Sequence, residues 1–418
     1  MKHLKIKVLY VCPFAHYPGH FTWASIRETK ALSQGGAEVT LLTSGGIFEN
    51  TQLKMPHLVT FPHTRYTVPI YNLIVFFRRQ VLSRWLVMFF ETLLTQIKAV
   101  RLTKKFNYDI IHLRDGEPFL FLPHLLSLPF KGCNWVIWLT ASNLYPPAAQ
   151  SFHARIYITI IKLINSNLWK PLYRASLRRN NFIFLTENET ARKDYSSYLG
   201  GIFDGKVFCV PLGAGKPIST IPKEKAKKHL GLPQDKPIFL SFGAPHSGKD
   251  VETIFRALHD LSDICLVHAG TQAFGLGTNT ANLADNYANP DRVIIRDCYI
   301  PEEEKPYYFF ASDAMILSYK RHFLSTSSLL WESCRYRTPV ISSDNLQLAK
   351  LIKDYNVGLL FKAQDTDSLR AAIVRFSKLT PGQIKMFRDN CYKFANEFPI
   401  DKWAEKCLGV YHTLLVKS

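Results

Sequence analysis

One stretch of this chain decides the fold, and it reads Leu317-Ser-Tyr-Lys-Arg-His-Phe-Leu-Ser-Thr-Ser-Ser-Leu-Leu-Trp-Glu332. An apolar strand is predicted to end at its start, and a run of small hydroxyl residues then leads into a short apolar helix. Backbone amides at such a helix start, here Ser325, Thr326, Ser327 and Ser328, can hold a phosphate. The carboxylate of Glu332 lies one turn further on and can bind sugar hydroxyls. The combination suits a nucleotide diphosphate-sugar.

The composition is that of a globular protein large enough for two domains. The chain has 418 residues, of which 47% are hydrophobic and 20% are charged, and a single core seldom extends over that length. The eight cysteines are widely separated, form no Cys-x-x-Cys pair, and in several cases fall in apolar runs. We therefore expect buried thiols in a reducing compartment, and neither a disulfide framework nor a zinc site.

The N-terminus is basic and then apolar, as in a signal peptide. Pro13, His16 and Pro18 interrupt the apolar run, which favours a first core strand instead. No window of about twenty residues is apolar and free of charge and proline, so no membrane span is expected.

The chain carries a large positive charge. Lysine and arginine number 52 against 33 acidic residues, a formal net charge of +19, and such an excess predicts an anionic partner. Nucleic acid, anionic lipid and a phosphorylated substrate all satisfy that requirement. No RNP-type, zinc or helix-turn-helix sequence is present, so nucleic acid is not expected.

Strands and helices alternate along the first half of the chain, which predicts a parallel sheet. The strand Lys5–Val11 leads through a loop with proline and glycine to a helix near Thr22–Gln34 and a second strand, Ala37–Thr43. Later predicted strands are Tyr108–His112, Trp135–Leu139, Phe182–Leu185 and Val207–Val210.

The alternation restarts after a polar connector, Gly213–Lys236. A helix is predicted at Asp250–Ala257. The predicted strands are Ile238–Phe242, Cys265–His268, Val293–Ile295, Ala314–Leu317, Pro339–Ser342 and Gly358–Phe361. We therefore expect an α/β protein with two doubly wound halves, in which ligands bind beyond the carboxyl ends of the strands.

The order and spacing of these segments resemble the GT-B glycosyltransferases, and most closely the retaining enzymes of family 4. The resemblance extends over nearly the whole chain and is densest from Ile238 to Leu369. It rests on a few short stretches, which are Tyr108-Asp-Ile-Ile-His112, Val207-Phe-Cys-Val-Pro-Leu-Gly213, Gly243-Ala-Pro-His-Ser-Gly-Lys249, Ala311-Ser-Asp-Ala-Met-Ile-Leu-Ser318 and Thr338-Pro-Val-Ile-Ser-Ser-Asp344.

The resemblance implies two Rossmann-like domains facing a central cleft. Residues 1–212 form the acceptor-side domain, residues 213–400 bind the nucleotide-sugar, and residues 401–418 form a helix that crosses back to the first domain. The resemblance also implies a UDP- or GDP-linked co-substrate and no cofactor. We interpret no part of the sequence as an Asp-x-Asp metal site, so no metal is expected.

The donor site of the family can be placed on individual residues of this chain. A lysine and a basic residue hold the donor diphosphate, and these positions fall at Lys249 and His246. Gly243 lies in the same loop, and the Ser325–Ser328 turn faces the donor. Glu332 matches the glutamate that binds the donor ribose.

The acceptor side is implied less directly. Gly19 and His20 match the glycine loop near the diphosphate and the acceptor, and His20 is either an acceptor-side base or a helix cap. Arg114 and Asp115 follow a strand at its carboxyl end. Asp115 either orients the acceptor or simply makes a turn, and we favour the turn.

The sequence departs from the family pattern at two positions. The first of two signature glutamates would fall at Leu324, and histidine stands at position 246 where many members carry arginine. A neutral histidine offers a hydrogen bond where arginine offers a charge. A non-catalytic relative that binds nucleotide-sugar or scaffolds a membrane complex is therefore an alternative, as is an inverting transferase or an epimerase of the same fold.

Ordinary structural roles compete with these assignments. The Ser325–Ser328 run can cap a helix, and Lys249 can be a solvated loop lysine, although the flanking glycines favour phosphate contact. We expect Asp344 to cap the helix that follows it, and His112 to pack within its strand.

Two segments of the first half mix aromatic residues with cations. Tyr71–Lys105 contains a single acid, Glu91, and His153–Arg179 contains none. Helices of this kind can lie on an anionic membrane, or pack their apolar sides on the sheet while the cationic heads stay in water. We expect a cytoplasmic protein, peripheral on the inner face of the membrane, that transfers sugar to a lipid-linked or polysaccharide acceptor.

Overall fold

The computed structural model describes residues 5–15, 20–44, 58–60, 81–114, 119–139, 169–203, 205–245, 248–258, 261–270, 292–321, 323 and 325–416. Their contacts divide the chain into two compact units, one formed by Met1–Pro211 with Ile400–Ser418 and the other by Leu212–Pro399. Each unit is an α/β structure built on one parallel sheet, so the predicted fold class is confirmed.

The first unit contains a seven-stranded sheet in the order β3-β2-β1-β4-β5-β6-β7. Every neighbouring pair is parallel, and the central strands are buried on both sides, as parallel sheets require. The strands are β1 Lys7–Val11, β2 Glu38–Thr43, β3 Leu58–Thr60, β4 Ile110–Leu113, β5 Asn134–Leu139, β6 Asn181–Thr186 and β7 Val207–Cys209.

Helices connect these strands, and the last helix of the chain returns to this unit. That helix contacts the first one, where the Leu408 side chain meets Gly35, and its Trp403 ring lies 6.2 Å from the Trp138 ring of β5. The helices are α1 His20–Gln34, α2 Val81–Phe106, α3 Phe121–Ser127, α4 Lys170–Leu177, α5 Glu189–Leu199 and the C-terminal α13 Ile400–Val416.

The second unit contains a six-stranded parallel sheet in the order β10-β9-β8-β11-β12-β13. Alternate residues of one strand enter different cores: Phe239 packs on one face of the sheet and Leu240 on the other. The strands are β8 Ile238–Phe242, β9 Cys265–Ala269, β10 Val293–Arg296, β11 Ala314–Leu317, β12 Val340–Ser343 and β13 Gly358–Phe361.

Helices cover both faces of this second sheet. Their starts carry recognisable signals. In the helix that begins at Pro381, for example, Thr380 and Gln383 form a capping box. The helices are α6 Lys223–His229, α7 Val251–Leu258, α8 Lys305–Ala311, α9 Ser328–Arg335, α10 Leu346–Tyr355, α11 Thr366–Ser377 and α12 Pro381–Glu397.

Several local predictions were wrong or incomplete. Asp344 does not cap a helix: its Oδ1 accepts the Ala363 amide at 2.9 Å, and Asn345 precedes α10. The short strand β3 and helix α6 were not foreseen. All eight cysteines are free, but Cys298 is exposed rather than buried.

The two basic, aromatic segments are described only in part. Helix α2 covers 81–106, and α4 covers 170–177; residues 71–80 and 153–168 lie outside the described residues. In the described segments, no helix is long and apolar enough to cross a membrane.

Candidate donor site

The candidate site begins where β8 ends, at a glycine that no other residue would replace without strain. Gly243 has a φ of +82°, in the left-handed region that favours glycine. Its amide donates to the Ala269 carbonyl at 2.8 Å. A Cβ atom on Gly270, which follows β9, would lie 2.7 Å from the Gly243 backbone. The two glycines therefore let the strand ends meet closely.

Lys249 directs its ammonium group back onto this turn. Its Nζ donates to the carbonyl oxygens of Phe242 at 2.7 Å and Gly243 at 3.0 Å. Burial lowers the pKa of Lys249 to about 7, because removal from water disfavours the charged form. The side chain is partly buried. It thus forms part of a built site and is not a solvated loop lysine.

The backbone of Lys249 is hydrogen-bonded to the start of the Leu317–Glu332 stretch. Lys249 forms an antiparallel bridge with Tyr319, and the Asp250 amide donates to the Ser318 carbonyl at 3.0 Å. The Tyr319 hydroxyl is 2.5 Å from Ser327 Oγ. Tyr319 therefore joins the lysine loop to the start of α9.

The start of α9 combines a cap with a set of small side chains. Ser327 is the N-cap residue, and its hydroxyl accepts the Leu329 amide at 3.3 Å. Ser325, Thr326 and Ser327 are buried, whereas Ser328 is exposed. The capping interpretation is correct for Ser327. The first backbone N–H groups of a helix have no carbonyl partner within the helix and point away from its N-terminal end, where they can bind an anion.

These two elements converge above Gly243. A methyl group placed on that residue would lie 3.2 Å from Lys249 Nζ and 3.9 Å from Leu329 Cδ1. The Lys249 ammonium group and the apolar Leu329 side chain from the first turn of α9 therefore lie next to Gly243 at the carboxyl end of the sheet. The ammonium group and the nearby start of the helix make this region a candidate for anion binding.

Glu332 lies one turn into α9 and is held in place by a neighbour. Its Oε2 is 3.4 Å from Arg335 Nη1, and Arg335 Nε donates to the Lys216 carbonyl at 3.0 Å. A Cβ on Gly215 would come within 2.7 Å of the guanidinium group. The carboxylate is thus oriented by a residue that also holds the connector segment near Lys216.

A layer of buried polar groups lies behind the lysine. His268 of β9 contacts Ser241 Oγ through Nδ1 at 3.0 Å, while its Nε2 has no hydrogen-bond partner among the residues that the structure describes. Burial, and then the charge of Lys249, lower the pKa of His268 to about 4. The imidazole is therefore neutral near pH 7 and adds no second charge beside the ammonium group.

The first unit contains a separate buried network. Arg114 Nη2 lies 3.3 Å from Glu28 Oε1 and its guanidinium group is 4.5 Å from the Trp138 ring. Tyr10 donates to the other oxygen of Glu28. Arg114 is only 8% exposed, and its ion pair joins α1 to the sheet; its predicted place on the acceptor side stays a prediction.

Comparison with known proteins agrees with this architecture. Residues 222–395, almost the whole second unit, match the family model described as "Glycosyl transferases group 1". The two-sheet arrangement matches solved glycosyltransferase structures over nearly their full length. The chain has the GT-B fold. A search of curated protein sequences gives no match.

Three GT-B structures illustrate the likeness. Sucrose-phosphate synthase from Thermosynechococcus elongatus superposes with a TM-score of 0.70 at 16% identity, over 99% of this chain and 100% of that one. HepE from Anabaena, in complex with UDP and glucose, gives 0.69 at 12%, over 98% and 100%. WaaG, a glycosyltransferase involved in lipopolysaccharide biosynthesis, gives 0.61 at 13%, over 96% and 98%. These identities are low and establish the fold.

The predicted site residues fall into three groups in this GT-B structure. Lys249, Gly243 and the Ser325–Ser328 turn come together, and Glu332 extends from the same helix. His20 is the first residue of α1, although its side chain is outside the described part. Gly19, Asp115, His246 and Leu324 also lie outside the described residues.

Some residues that build the site were not singled out from sequence. Tyr319, Arg335 and His268 carry no motif, and only tertiary contacts show their roles. Tyr319 lies within the Leu317–Glu332 stretch, two residues after β11. An aromatic residue close to a run of hydroxyl residues is the feature of the sequence that could have indicated its role. Among the described residues, no group of three or more His, Cys, Asp or Glu side chains is arranged to hold a metal. His112 packs within its strand as predicted, and its Nδ1 is 2.5 Å from the Tyr411 hydroxyl.

Proposed function

We propose that this protein is a retaining glycosyltransferase that moves a sugar from a UDP- or GDP-sugar to a lipid-linked or polysaccharide acceptor. One observation carries the proposal: the Lys249 ammonium group is held at the Gly243 turn, and Tyr319 links the lysine loop to the start of α9. That arrangement suits a diphosphate, and the family match of residues 222–395 supports a nucleotide-sugar as its source.

The chemistry proposed for this space is charge stabilisation of the leaving group. Cleavage of the bond between sugar and diphosphate leaves negative charge on the phosphate oxygens. An ammonium group and helix amides already in place stabilise that charge without reorganising, which is the largest contribution such a site can make. Lys249 is assigned this role, assisted by the amides of Ser325–Ser328 and by His246.

Glu332 is assigned to the ribose of the donor. The contact with Arg335 orients its carboxylate, and a carboxylate can accept hydrogen bonds from two adjacent hydroxyls. The acceptor hydroxyl attacks from the face that the diphosphate leaves, so the anomeric configuration is retained. His20, in the glycine loop with Gly19, is the candidate acceptor-side base. No metal and no cofactor take part in this proposal.

The acceptor side is proposed to face an anionic membrane. The positive charge and the aromatic residues of the first half support this assignment. Exposed side chains on α2, among them Phe90 and Phe106, are of the type that inserts at a lipid interface. WaaG acts in lipopolysaccharide biosynthesis, which makes a lipid-linked or polysaccharide acceptor a reasonable first choice.

A thermal-shift screen of nucleotide diphosphates tests the donor site. A true ligand raises the melting temperature because it binds only the folded state. We expect UDP or GDP to stabilise the parent protein and the control Lys353→Ala, whose lysine is exposed on α10. Lys249→Ala should show a much smaller shift. An unchanged shift in Lys249→Ala would exclude the proposed site.

A non-catalytic relative is the second candidate. The observation in its favour is Leu324, which stands where the resemblance places a glutamate. Nucleotide binding without sugar transfer or donor hydrolysis, across a panel of donors and lipid acceptors, would establish it. If transfer occurs, the anomeric configuration of the product, read by NMR, separates a retaining from an inverting enzyme. Conversion of the nucleotide-sugar donor to its epimer, in the absence of an acceptor, identifies an epimerase.

A further inference from the structure

A basic pocket lies in the first unit, on elements that carry none of the residues assigned to the donor. It has a volume of about 490 Å³ and is formed by α4 and the short 3₁₀ helix Gly200–Phe203. Its lining residues are Lys170, Arg174, Leu177, Arg178, Gly201 and Ile202. The size is within the range of pockets that hold small organic ligands.

Both walls of this pocket are fixed to the same core. The inner face of α4 is held by Ser176, whose hydroxyl is 2.6 Å from His124 Nδ1, and by the buried Tyr173. Phe203 ends the opposite wall and packs 5.6 Å from the Tyr173 ring and 4.8 Å from the Phe184 ring. The pocket is therefore a preformed feature, not a groove between independent loops.

The three cations lie along one side of α4. Lys170, Arg174 and Arg178 are four residues apart, so they line one stripe of the helix within about 12 Å. In the described residues, no carboxylate forms an ion pair with any of the three. Arg179 turns the other way and donates to the Leu128 carbonyl at 2.9 Å. Within the part of the chain that the structure describes, no ion pair thus neutralises the positive charge of the pocket.

We propose that this pocket binds the phosphate group of an amphipathic phosphate ester. Two guanidinium groups and an ammonium group match phosphate oxygens, and Leu177 and Ile202 supply apolar contact for the group attached to the phosphate. A volume of about 490 Å³ holds more than an inorganic ion. The proposal deepens the acceptor side of the proposed function, to which the basic segment with α4 is assigned, and does not rest on the donor site, whose residues belong to the other unit.

A matched pair of double variants tests this site. Arg174→Gln with Arg178→Gln removes two cations from the pocket, and Lys30→Gln with Lys193→Gln removes two exposed cations elsewhere in the same unit. Both have the same net charge. Glycerol 3-phosphate and inorganic phosphate, followed by calorimetry, probe a soluble ligand. Phosphatidylcholine vesicles containing phosphatidic acid, compared with vesicles in which a fatty acid supplies equal charge, probe a lipid.

The expected result is phosphate-dependent binding that weakens about tenfold for each guanidinium group removed, with little change in the lysine control. The arm that shows the loss identifies the source of the phosphate. Equal weakening in both double variants, equal binding of the fatty-acid vesicles, or no binding of any probe would overturn the proposal. The thermal shift produced by UDP or GDP should be unchanged in both variants, which separates this test from that of the donor site.

Discussion

The affinity of this protein for a nucleotide-sugar should fall as pH rises through neutrality. Lys249 binds the diphosphate as an ammonium ion, yet burial lowers its pKa to about 7 in the unliganded protein. Raising the pH therefore removes the positive charge of Lys249 from the unliganded protein. A nucleotide-sugar is the appropriate probe because both of its phosphates are fully ionised over this range, whereas the terminal phosphate of UDP itself titrates near pH 6.

The size of the effect follows from the fraction of protein in the binding-competent form. With a pKa of about 7, about nine-tenths of Lys249 is charged at pH 6 and about one-tenth at pH 8, so the apparent Kd should rise about tenfold. Bound diphosphate raises the pKa of the lysine. Complex formation at pH 8 should therefore take up nearly one proton. His268, with a pKa of about 4, does not titrate in this interval.

Isothermal titration calorimetry measures both quantities when it is repeated in buffers of different ionisation enthalpy. Lys249→Met should bind weakly, with an affinity that varies little between pH 6 and pH 8 and with no lysine-linked proton uptake. Lys353→Met, which alters an exposed lysine in the same unit, should behave like the parent. The reasoning is refuted if the parent and Lys249→Met show the same pH profile, or if they bind equally well at pH 6.

Three further changes have defined outcomes. Gly243→Ala should lower the free energy of unfolding, measured by urea titration, by about 1–2 kcal/mol, because the φ of this residue is +82°. The variant should also bind nucleotide more weakly, because the new methyl group displaces Lys249. An unchanged urea midpoint would contradict the first expectation. Glu332→Gln should weaken the binding of UDP about tenfold but leave the binding of 2′,3′-dideoxy-UDP nearly unaffected in calorimetry, and equal losses would exclude the ribose contact. Arg114→Met should lower the free energy of unfolding by about 3–5 kcal/mol, because it removes the cation that pairs with the buried Glu28 carboxylate. Adding Glu28→Met should recover much of this loss, and a double variant no more stable than the single one would argue against the pair.

Much of the fold was predictable from local patterns. Ile238–Phe242, Ala314–Leu317 and Gly358–Phe361 were predicted with the bounds that the structure shows, because each is a short apolar run between turn residues. Helix α6 was missed because it lies in a lysine-rich segment with few apolar positions. Asp344 was assigned as a cap from its place after a strand, but its carboxylate reaches a residue nineteen positions further along the chain.

In the candidate site, too, some residues could be predicted from local patterns and others could not. Gly243 and Lys249 were marked by their position after a strand, which is a local signal. Arg114 was marked by the same rule, yet the structure places it in a buried pair with Glu28 on another element. A strand-end rule identifies the edge of the sheet at which a residue lies, but it does not state whether the side chain faces solvent or a charge inside the core.

By itself, the order of apolar runs, glycines and hydroxyl residues determined the α/β class, two parallel sheets and the position of a candidate anion site, because these depend on spacing along the chain. Only the tertiary structure decided that the Lys249 ammonium group contacts two carbonyl oxygens, that Tyr319 joins the lysine loop to Ser327, and that three cations line one pocket. Those facts depend on which distant segments meet, and hence on burial and pairing that no local pattern contains.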